Sequence, residues 1–344
     1  MESRIIALGH LRQVIRDWRM ESHKPRVVPL IISAKTEKDE ALFRFEYLYG
    51  PQQRCIIKPT TGELAEDALK SFDRVGISHV KIEFLPPHGG ESILISPYFQ
   101  DSRWLHSLQK AAVGRDLSTI FMFLDTSFIC NHYGSNRMVR IQQNGLQPRV
   151  PFQVELLIPR LVSLEVELLL NKAKGMRRDE KLPRKIYRNY SDVYELRFLA
   201  RNGARVLPTL DKDTELAFSK IAGNQYADNA IREEVADYAR GRHLPQNSYF
   251  FLTCDIGSGL SGSAGDLPTL LFTRGQNETY GFDFEGIADL IVDLAITFGT
   301  IKVERTLETE TYEFRCEGYW EGKGTDDWEC KGVRVTHAGD IFPA

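Results

Sequence analysis

"FFLTCDIGSGLSGSAG", residues 250–265, is an apolar run that passes directly into an aspartate and a series of glycines and serines. Its apolar part is continuous rather than alternating, and so are four other short runs, "TIFMFL", "ELLIP", "ARVLPTL" and "TLLFT". Continuous apolar strands are typical of a parallel sheet whose two faces are both covered. Because amphipathic helical patterns separate these runs, residues 118–276 are predicted to form an α/β domain with a parallel sheet and helices on both faces.

The flanking regions show other patterns. Residues 1–117 mix strand-like runs such as "RVVPLIIS" and "HVKIEFLP" with helical patterns, "GELAEDALKSFDRVG" and "SRWLHSLQKAAVG", which predicts an α+β unit of unknown role. Residues 277–344 begin with the helix-like "FEGIADLIVDLAITFG" and continue as alternating apolar and polar residues between turn signals. We therefore predict a C-terminal helix followed by an antiparallel β meander, and three regions in all.

Composition excludes several classes of protein. The 344 residues are 42% hydrophobic, enough to bury a core, and the formal charge of −3 gives no overall basic footprint for nucleic acid. Five widely spaced cysteines form no CxxC pair and no zinc spacing, which favours a reduced, cytoplasmic setting. The first twenty residues lack an apolar signal core and no stretch is long enough to cross a bilayer. A chain without membrane partners is expected.

The glycines of the first quoted stretch match a nucleotide-binding pattern. Gly257, Gly259 and Gly262 follow a predicted strand with the spacing GxGxxG, which binds dinucleotides when a helix begins within the glycines. Here the glycines run on to Gly265, and the next strand ends in Arg274 instead of an acid. We therefore predict a glycine loop, and a nucleotide site is the less favoured interpretation.

Two aspartates directly follow buried strands. Asp255 comes after "YFFLTC" and Asp125 after "TIFMFL". In a parallel α/β sheet such positions lie at the carboxyl edge, where ligands bind. Two acids on neighbouring strands repel each other unless a cation lies between them. For either residue alone, a helix N-cap is the alternative role.

Two further acids lie on the apolar faces of predicted helices. Glu165 belongs to the apolar stripe of "RLVSLEVELLLNKAK", and Asp228 to the packed side of "NQYADNAIREEVADYAR". Because burying an unpaired carboxylate costs several kcal/mol, such groups are normally paired or bound to a metal. A salt bridge to Arg160 or Arg232 is the alternative. The acids expected to face solvent on the same helices are Glu167, Glu233 and Glu234.

Taken in order, the four acids resemble the motifs of the PIN-domain nucleases over about residues 118–276. Asp125 lies in "FLDTSFI", Glu165 in "IPRLVSLEVEL" and Asp228 in "ADNAI". Asp255 lies in "FLTCD", which Ala264 follows, and the family's last motif usually has a threonine, a polar residue and an aspartate. The family usually continues with a short polar helix, so the predicted glycine loop departs from its pattern.

The resemblance implies a metal-dependent nuclease, an endoribonuclease that hydrolyses RNA, or less often structured DNA. Its catalytic and metal-binding residues would be Asp125, Glu165, Asp228 and Asp255. Carboxylate oxygens are hard ligands that suit Mg²⁺ or Mn²⁺, and a site without histidine or cysteine argues against zinc. Accessory roles are predicted for Thr126, Ser127, Asn229 and Ser258.

A basic segment, "KAKGMRRDEKLPRKIYRNY", follows Glu165 and could carry the phosphate contacts that an acidic site needs. Tyr187 and Tyr190 could stack on bases. A solvated helix and loop is the alternative interpretation. The predicted nucleic-acid-binding residues are Lys172, Lys174, Arg177, Arg178, Lys181, Arg184, Lys185 and Arg188.

Two other functions stay open. The chain could be a catalytically silent PIN-like scaffold or an RNA-binding or interaction protein, with a homodimer or a partner protein bound through its flanking regions. It could instead be a phosphatase or nucleotide hydrolase, although Ser127 stands where such enzymes carry a second aspartate. RNA is the partner that the resemblance favours.

Overall fold

The computed structural model of the chain describes residues 3–21, 29–35, 41–49, 55–60, 65–85, 92–95, 119–135, 153–175, 182–208, 210–264, 266–275, 284–307, 310–319 and 331–336. The chain forms two compact units. We call residues His79–Arg178 and Ser191–Gly275 the central unit. The terminal unit combines Met1–Ser78, Asp179–Tyr190 and Gln276–Ala344.

The strands, in chain order, are β1 (Ser3–Ala7), β2 (Pro29–Lys35), β3 (Ala41–Tyr49), β4 (Cys55–Thr60), β5 (Val80–Phe84), β6 (Ser92–Ile95), β7 (Thr119–Leu124), β8 (Gln153–Ile158), β9 (Arg205–Val206), β10 (Tyr249–Thr253), β11 (Thr269–Arg274), β12 (Thr300–Leu307), β13 (Glu310–Tyr319) and β14 (Gly332–Thr336). The helices are α1 (Leu8–Glu21), α2 (Ala65–Arg74), α3 (Thr126–Cys130), α4 (Arg160–Gly175), α5 (Leu182–Arg201), α6 (Lys212–Ser219), α7 (Gln225–Gly241), α8 (Ile256–Ala264) and α9 (Phe284–Phe298).

The central unit is built on a mixed sheet in the order β6-β5-β11-β10-β7-β8-β9. The five strands from β11 to β9 run parallel, and helices flank them, as the continuous apolar runs predicted. Every residue of β10 is buried, so both faces of the sheet are covered at that strand. β9 is shorter than its apolar run because Pro208 has no N–H to continue the ladder.

Two strands from the first predicted region also belong to this sheet. β5 pairs with β11 in the antiparallel direction, and β6 pairs with β5 in the same way. The sheet is therefore mostly parallel with an antiparallel edge. The predicted boundaries near residues 117 and 277 lie outside the described residues, and so does the predicted helix at 102–114.

The glycine-rich stretch is a helix, and the predicted glycine loop is wrong. α8 begins directly after Asp255 and contains Gly259 and Gly262. A Cβ at Gly259 would lie 3.2 Å from Leu85 Cδ1, and one at Gly262 would lie 3.0 Å from Thr269 Oγ1. The glycines therefore let the helix backbone lie close against the sheet. This packing outweighs the cost of about 1 kcal/mol that each glycine adds to a helix.

The terminal unit is built on an antiparallel sheet in the order β1-β14-β13-β12-β2-β3-β4. The predicted C-terminal meander is confirmed as β12, β13 and β14. It continues into the N-terminal strands, since β14 pairs with β1 and β12 pairs with β2. Both ends of the chain thus contribute to one sheet.

Helix α9 forms much of the core of the terminal unit, and the predicted helix "FEGIADLIVDLAITFG" is confirmed. Its residues Ile291 and Leu294 are fully buried. The helix also carries Asp293, whose Oδ2 lies 2.6 Å from Arg74 Nη2 of α2 in a buried salt bridge. Burial alone would raise the pKa of Asp293, but the charge and hydrogen bonds of Arg74 bring this pKa below its ordinary value.

Across the described ranges, no helix is both long and apolar enough to cross a membrane.

Candidate functional site

The two strand-end aspartates lie at one edge of the central sheet. β7 and β10 are hydrogen-bonded parallel neighbours, with Leu124 opposite Leu252. The backbone N–H of Asp125 donates to Leu252 O at 3.0 Å, and Asp255 follows two residues after the end of β10. The sheet therefore brings Asp125 and Asp255 to the same carboxyl edge.

Asp125 is the most buried of the four acids, with 2% of its surface exposed. Its Oδ2 accepts hydrogen bonds from Ser127 Oγ and Thr253 Oγ1, both at 2.6 Å. Its Oδ1 is buried and has no hydrogen-bond partner among the described residues. Burial raises the pKa of Asp125, while the two hydroxyls and the backbone N–H of Thr126 oppose this rise and the charge of Asp255 adds to it.

Glu165 joins three elements of the central unit. It is 4% exposed, Oε2 accepts from Thr126 Oγ1 at 2.6 Å, and Oε1 accepts from the N–H of Gly223 at 2.8 Å. Burial raises its pKa, and the charge of Asp125 contributes to the rise. Arg160 does not neutralise it, since Arg160 Nε binds Glu215 Oε1 at 2.9 Å.

Asp228 is half-buried on α7 and faces the other acids. Its pKa is raised to about 6, first by burial and then by the charges of Asp125, Glu165 and Asp255. The charge of Arg232 lowers this pKa, while its guanidinium donates hydrogen bonds to Ser258 Oγ and Asn229 Oδ1. Because the charges of the other three acids raise the pKa of Asp228, the four carboxylates lie close enough to repel one another.

Asp255 is exposed and caps a helix. Its Oδ1 accepts the backbone N–H of Ser258 at 2.8 Å, three residues on, which is the geometry of an N-cap for α8. Asp125 holds the corresponding position before α3, but its side chain makes no capping hydrogen bond. The N-cap alternative thus applies to Asp255 and not to Asp125.

The accessory residues fall into two groups. Thr126 and Ser127 donate directly to Glu165 and Asp125. Ser258 reaches Asp255 through its backbone N–H, while its hydroxyl is bound by Arg232 Nη1 at 2.9 Å. Asn229 is exposed, and its side-chain oxygen accepts from Arg232.

Sequence reasoning did not single out two groups that bind the acids. Thr253 donates to Asp125 and accepts the N–H of Asp255 at 3.1 Å, so one hydroxyl joins both strand-end acids. The threonine of "FLTCD", in the stretch that resembles a PIN motif, was the available signal. The N–H of Gly223 is the second group, and nothing in the local pattern marks a backbone donor.

One exposed position was predicted wrongly. Glu234 was expected to face solvent, but its two oxygens accept the backbone N–H groups of Arg160 at 2.6 Å and Leu161 at 2.9 Å. Glu234 therefore binds the unpaired donors at the start of α4. Glu167 and Glu233 are exposed, as predicted.

Whether these residues fit Mg²⁺ or Mn²⁺ depends on their donor atoms. In the part of the chain that the structure describes, no group of three or more histidine, cysteine, aspartate or glutamate side chains could hold a metal ion as arranged. Mg²⁺, however, usually takes only one or two protein carboxylates and keeps several waters. The unpaired Oδ1 of Asp125 and the mutual repulsion of the acids fit a hard cation.

The basic segment is described only in part. Lys172 is exposed at the end of α4, and Arg188 is half-buried on α5. The side chains of Lys174, Arg184 and Lys185 lie outside what the structure describes, as do residues 176–181 entirely. The predicted phosphate track stays a prediction.

A cavity of about 390 Å³ lies on the central unit against α7. Its walls are mainly apolar, with Leu161, Leu207 and Leu210 among them, and its rim carries Glu233 and Asp237. None of the four acids lines it, so it is separate from the candidate site.

No protein-family model, no curated protein and no solved structure matches the chain. Any functional conclusion therefore depends on the geometry and chemistry of the site itself.

Proposed function

We propose that this chain is a PIN-like, Mg²⁺- or Mn²⁺-dependent nuclease that hydrolyses RNA phosphodiester bonds. One observation carries the proposal: Asp125 has a buried, unpaired carboxylate oxygen in the electrostatic field of other acids. A buried carboxylate without a partner is costly, and the excess negative charge calls for a cation.

The local elements also support a PIN-like arrangement. The acids follow parallel neighbouring strands or lie on helices of the same unit. The predicted glycine loop would have departed from the PIN pattern, but a helix, α8, directly follows Asp255 instead. The family's usual short helix has a counterpart in this chain.

Each acid is assigned a role from its surroundings. Asp125 and Asp255 would hold the ion, and the Ser127 and Thr253 hydroxyls keep Oδ1 of Asp125 available by binding Oδ2. Glu165 would orient water or ligate the ion, fixed by Thr126 and Gly223. When bound, Mg²⁺ or Mn²⁺ would lower the pKa of a water and offset phosphate charge.

Asp228 is the candidate proton acceptor. Its pKa of about 6 lies close to neutral pH, where a general base works best. It is half-buried, so it retains access to water. Hydrolysis would leave a 5′-phosphate, as the family resemblance implies.

The decisive experiment is cleavage of a labelled pool of single-stranded and hairpin RNAs with Mg²⁺, Mn²⁺ or EDTA. We expect metal-dependent cutting that falls by at least about 100-fold in the Asp125→Asn/Asp255→Asn double variant. Asp213→Asn, at an exposed site on α6, is the matched control and should cut normally. Cutting that continues in EDTA or in the double variant would contradict the proposal.

A PIN-like scaffold without activity is the second candidate. The N-cap role of Asp255 and the lack of a ready three-residue metal group in the described ranges favour it. If the folded protein cuts no RNA under any metal condition, this candidate replaces the nuclease.

A further inference from the structure

A second group of buried titratable side chains lies at the far end of α3. His132 follows the helix, and its Nε2 lies 3.1 Å from Ser191 Oγ and 3.7 Å from Asp192 Oδ1. Its Nδ1 lies 3.9 Å from Glu195 Oε2. All of these side chains are buried, and the proposed nuclease chemistry uses none of them.

The turn after α3 is docked directly on α5. Glu195 Oε1 accepts the N–H of Ser135 at 2.7 Å, so both oxygens of this carboxylate face the turn. A Cβ at Gly134 would lie 2.6 Å from Leu199 Cδ1, which shows how closely the two segments approach. The backbone of His132 is left-handed, with φ 54°, a conformation that persists only when its surroundings hold it.

The cluster is not arranged as a metal site. The two ring nitrogens face different carboxylates, so a single ion could not bind all three side chains. The ring instead lies between the two buried acids, with its Nε2 hydrogen-bonded to Ser191 Oγ.

The remaining polar contacts agree with this reading. Oδ1 of Asp192 has no hydrogen bond from the described residues and depends on the nearby imidazole. Burial raises the pKa of Glu195, the charge of His132 and the contacts of Ser135 oppose the rise, and Asp192 adds to it. Asp192 and Glu195 are the acidic groups whose oxygens lie within 4 Å of the ring nitrogens among the described residues.

Helix α3 connects the His132 cluster to the four acids of the candidate site. α3 has only five residues, and its other end carries Thr126 and Ser127, which donate to Glu165 and Asp125. Because so short a helix separates them, we expect a change in how His132 is held to reach both hydroxyls.

We propose that His132 is a positioning residue, whose buried ring between Asp192 and Glu195 fixes α3 and thereby orients Asp125 and Glu165. The role of the cluster in the reaction rests on the proposed nuclease function. The attachment of His132 and Ser135 to α5, which we call the tether, does not rest on the nuclease function, because it is a property of the fold.

The tether is tested by the thermal unfolding midpoint of the full chain between about pH 5 and about pH 8. Glu195→Gln keeps an oxygen for the Ser135 N–H and mimics the protonated acid. Because the pKa of Glu195 is raised in the fold, its protonated carboxyl group stabilises the folded protein at low pH. This stabilisation is lost as pH rises and the group ionises. The midpoint of Glu195→Gln should therefore rise relative to wild type with increasing pH, by several degrees.

Two further variants make this test specific. Glu233→Gln, at an exposed acid on α7, should run parallel to wild type at every pH. His132→Asn tolerates the left-handed backbone but removes the ring between the two acids, so it should lower the midpoint at every pH. A His132→Asn midpoint equal to that of wild type, or a Glu195→Gln curve parallel to that of wild type, would overturn the tether.

The positioning role is tested by the pH profile of RNA cleavage and by the shift in midpoint that Mn²⁺ produces. Glu195→Ala should lose kcat with KM unchanged and lose most of the Mn²⁺ shift, whereas Glu195→Gln should retain both with an altered pH profile. Equal behaviour of Ala and Gln would overturn positioning. If wild type cuts no RNA, the nuclease proposal fails, and the Mn²⁺ shift still decides between the two variants.

Discussion

Asp228 makes the candidate site sensitive to pH near neutrality. Its pKa is about 6, so it is largely protonated below that pH and ionised above it. Without metal, ionisation on the fold costs stability, and this cost appears as pH rises through 6. A bound cation reverses the sign, because carboxylates bind Mg²⁺ only when ionised.

The expected result is a metal-induced rise in unfolding midpoint that is small at about pH 5 and large at about pH 8. Calorimetry with Mg²⁺ or EDTA across this range measures it. In Asp228→Asn, the metal-induced rise in midpoint should no longer increase near pH 6. Asp237→Asn, on the exposed side of α7, should keep that increase. A shift that is equal at both ends of the range would count against Asp228 as a member of the site.

At the residue scale, the sequence located the acids but not their partners. Strand ends and helix stripes are local patterns, and they placed Asp125 at the sheet edge and Glu165 in a buried stripe. Partners distant in sequence follow no such pattern. Thr253 lies 128 positions from Asp125, and Glu234 lies 74 positions from the N–H of Arg160 that it accepts.

At the scale of elements, α8 depends on close approach to the sheet. The Cβ position of Gly259 is within 3.5 Å of Leu85, Leu271 and Thr253 side chains. The carbons added by Gly259→Val would be forced into these neighbours. We expect a loss of about 1–3 kcal/mol in the free energy of unfolding, measured with denaturant.

The matched control for this change is Gly241→Val at the end of α7, where the added Cβ meets nothing within 4 Å. It should cost less than about 1 kcal/mol. Since Thr253 also holds Asp125, Gly259→Val should reduce cleavage as well as stability. Equal stability of the two variants would show that α8 does not pack as described.

The same helix shows why some elements could not be predicted. Continuous apolar runs identified the parallel strands because a strand that is buried on both faces has apolar residues at successive positions. Glycines carry the opposite local signal, and only the sheet beneath Gly259 and Gly262 makes a helix favourable there. The assignment of β5 and β6 to the parallel sheet was also missed, because strand runs do not specify their pairing partners.

At the scale of the whole molecule, the two units contain buried charge of different kinds. In the terminal unit, Arg74 and Asp293 form a pair with additional bonds from Arg74 to Ser71 Oγ at 3.0 Å and Thr297 Oγ1 at 2.8 Å. Because the pKa of Asp293 is lowered, the stabilisation that this pair gives the fold is present at neutral pH and lost as pH falls. Glu195 of the central unit has the opposite pH dependence.

We expect Arg74→Ala to destabilise the terminal unit by about 3–5 kcal/mol, since it leaves a buried carboxylate uncompensated. Arg334→Ala removes an exposed pair with Glu317 at 3.4 Å and should cost at most about 1 kcal/mol. Hydrogen exchange read separately over the strands of each sheet measures both. Equal effects of the two substitutions would contradict the burial of the Arg74 pair.

Pairing of β1 with β14 also has a consequence during synthesis on the ribosome. Ala7 pairs with Gly332, which is translated roughly 325 residues later. At about 5–20 residues per second, the first strand waits roughly 16–65 s for its partner to emerge. The central sheet has all its strands by Arg274 and can close sooner. Among the described strands, β1 therefore waits longest for its partner in a nascent chain, and a chaperone would need to shield it during that time.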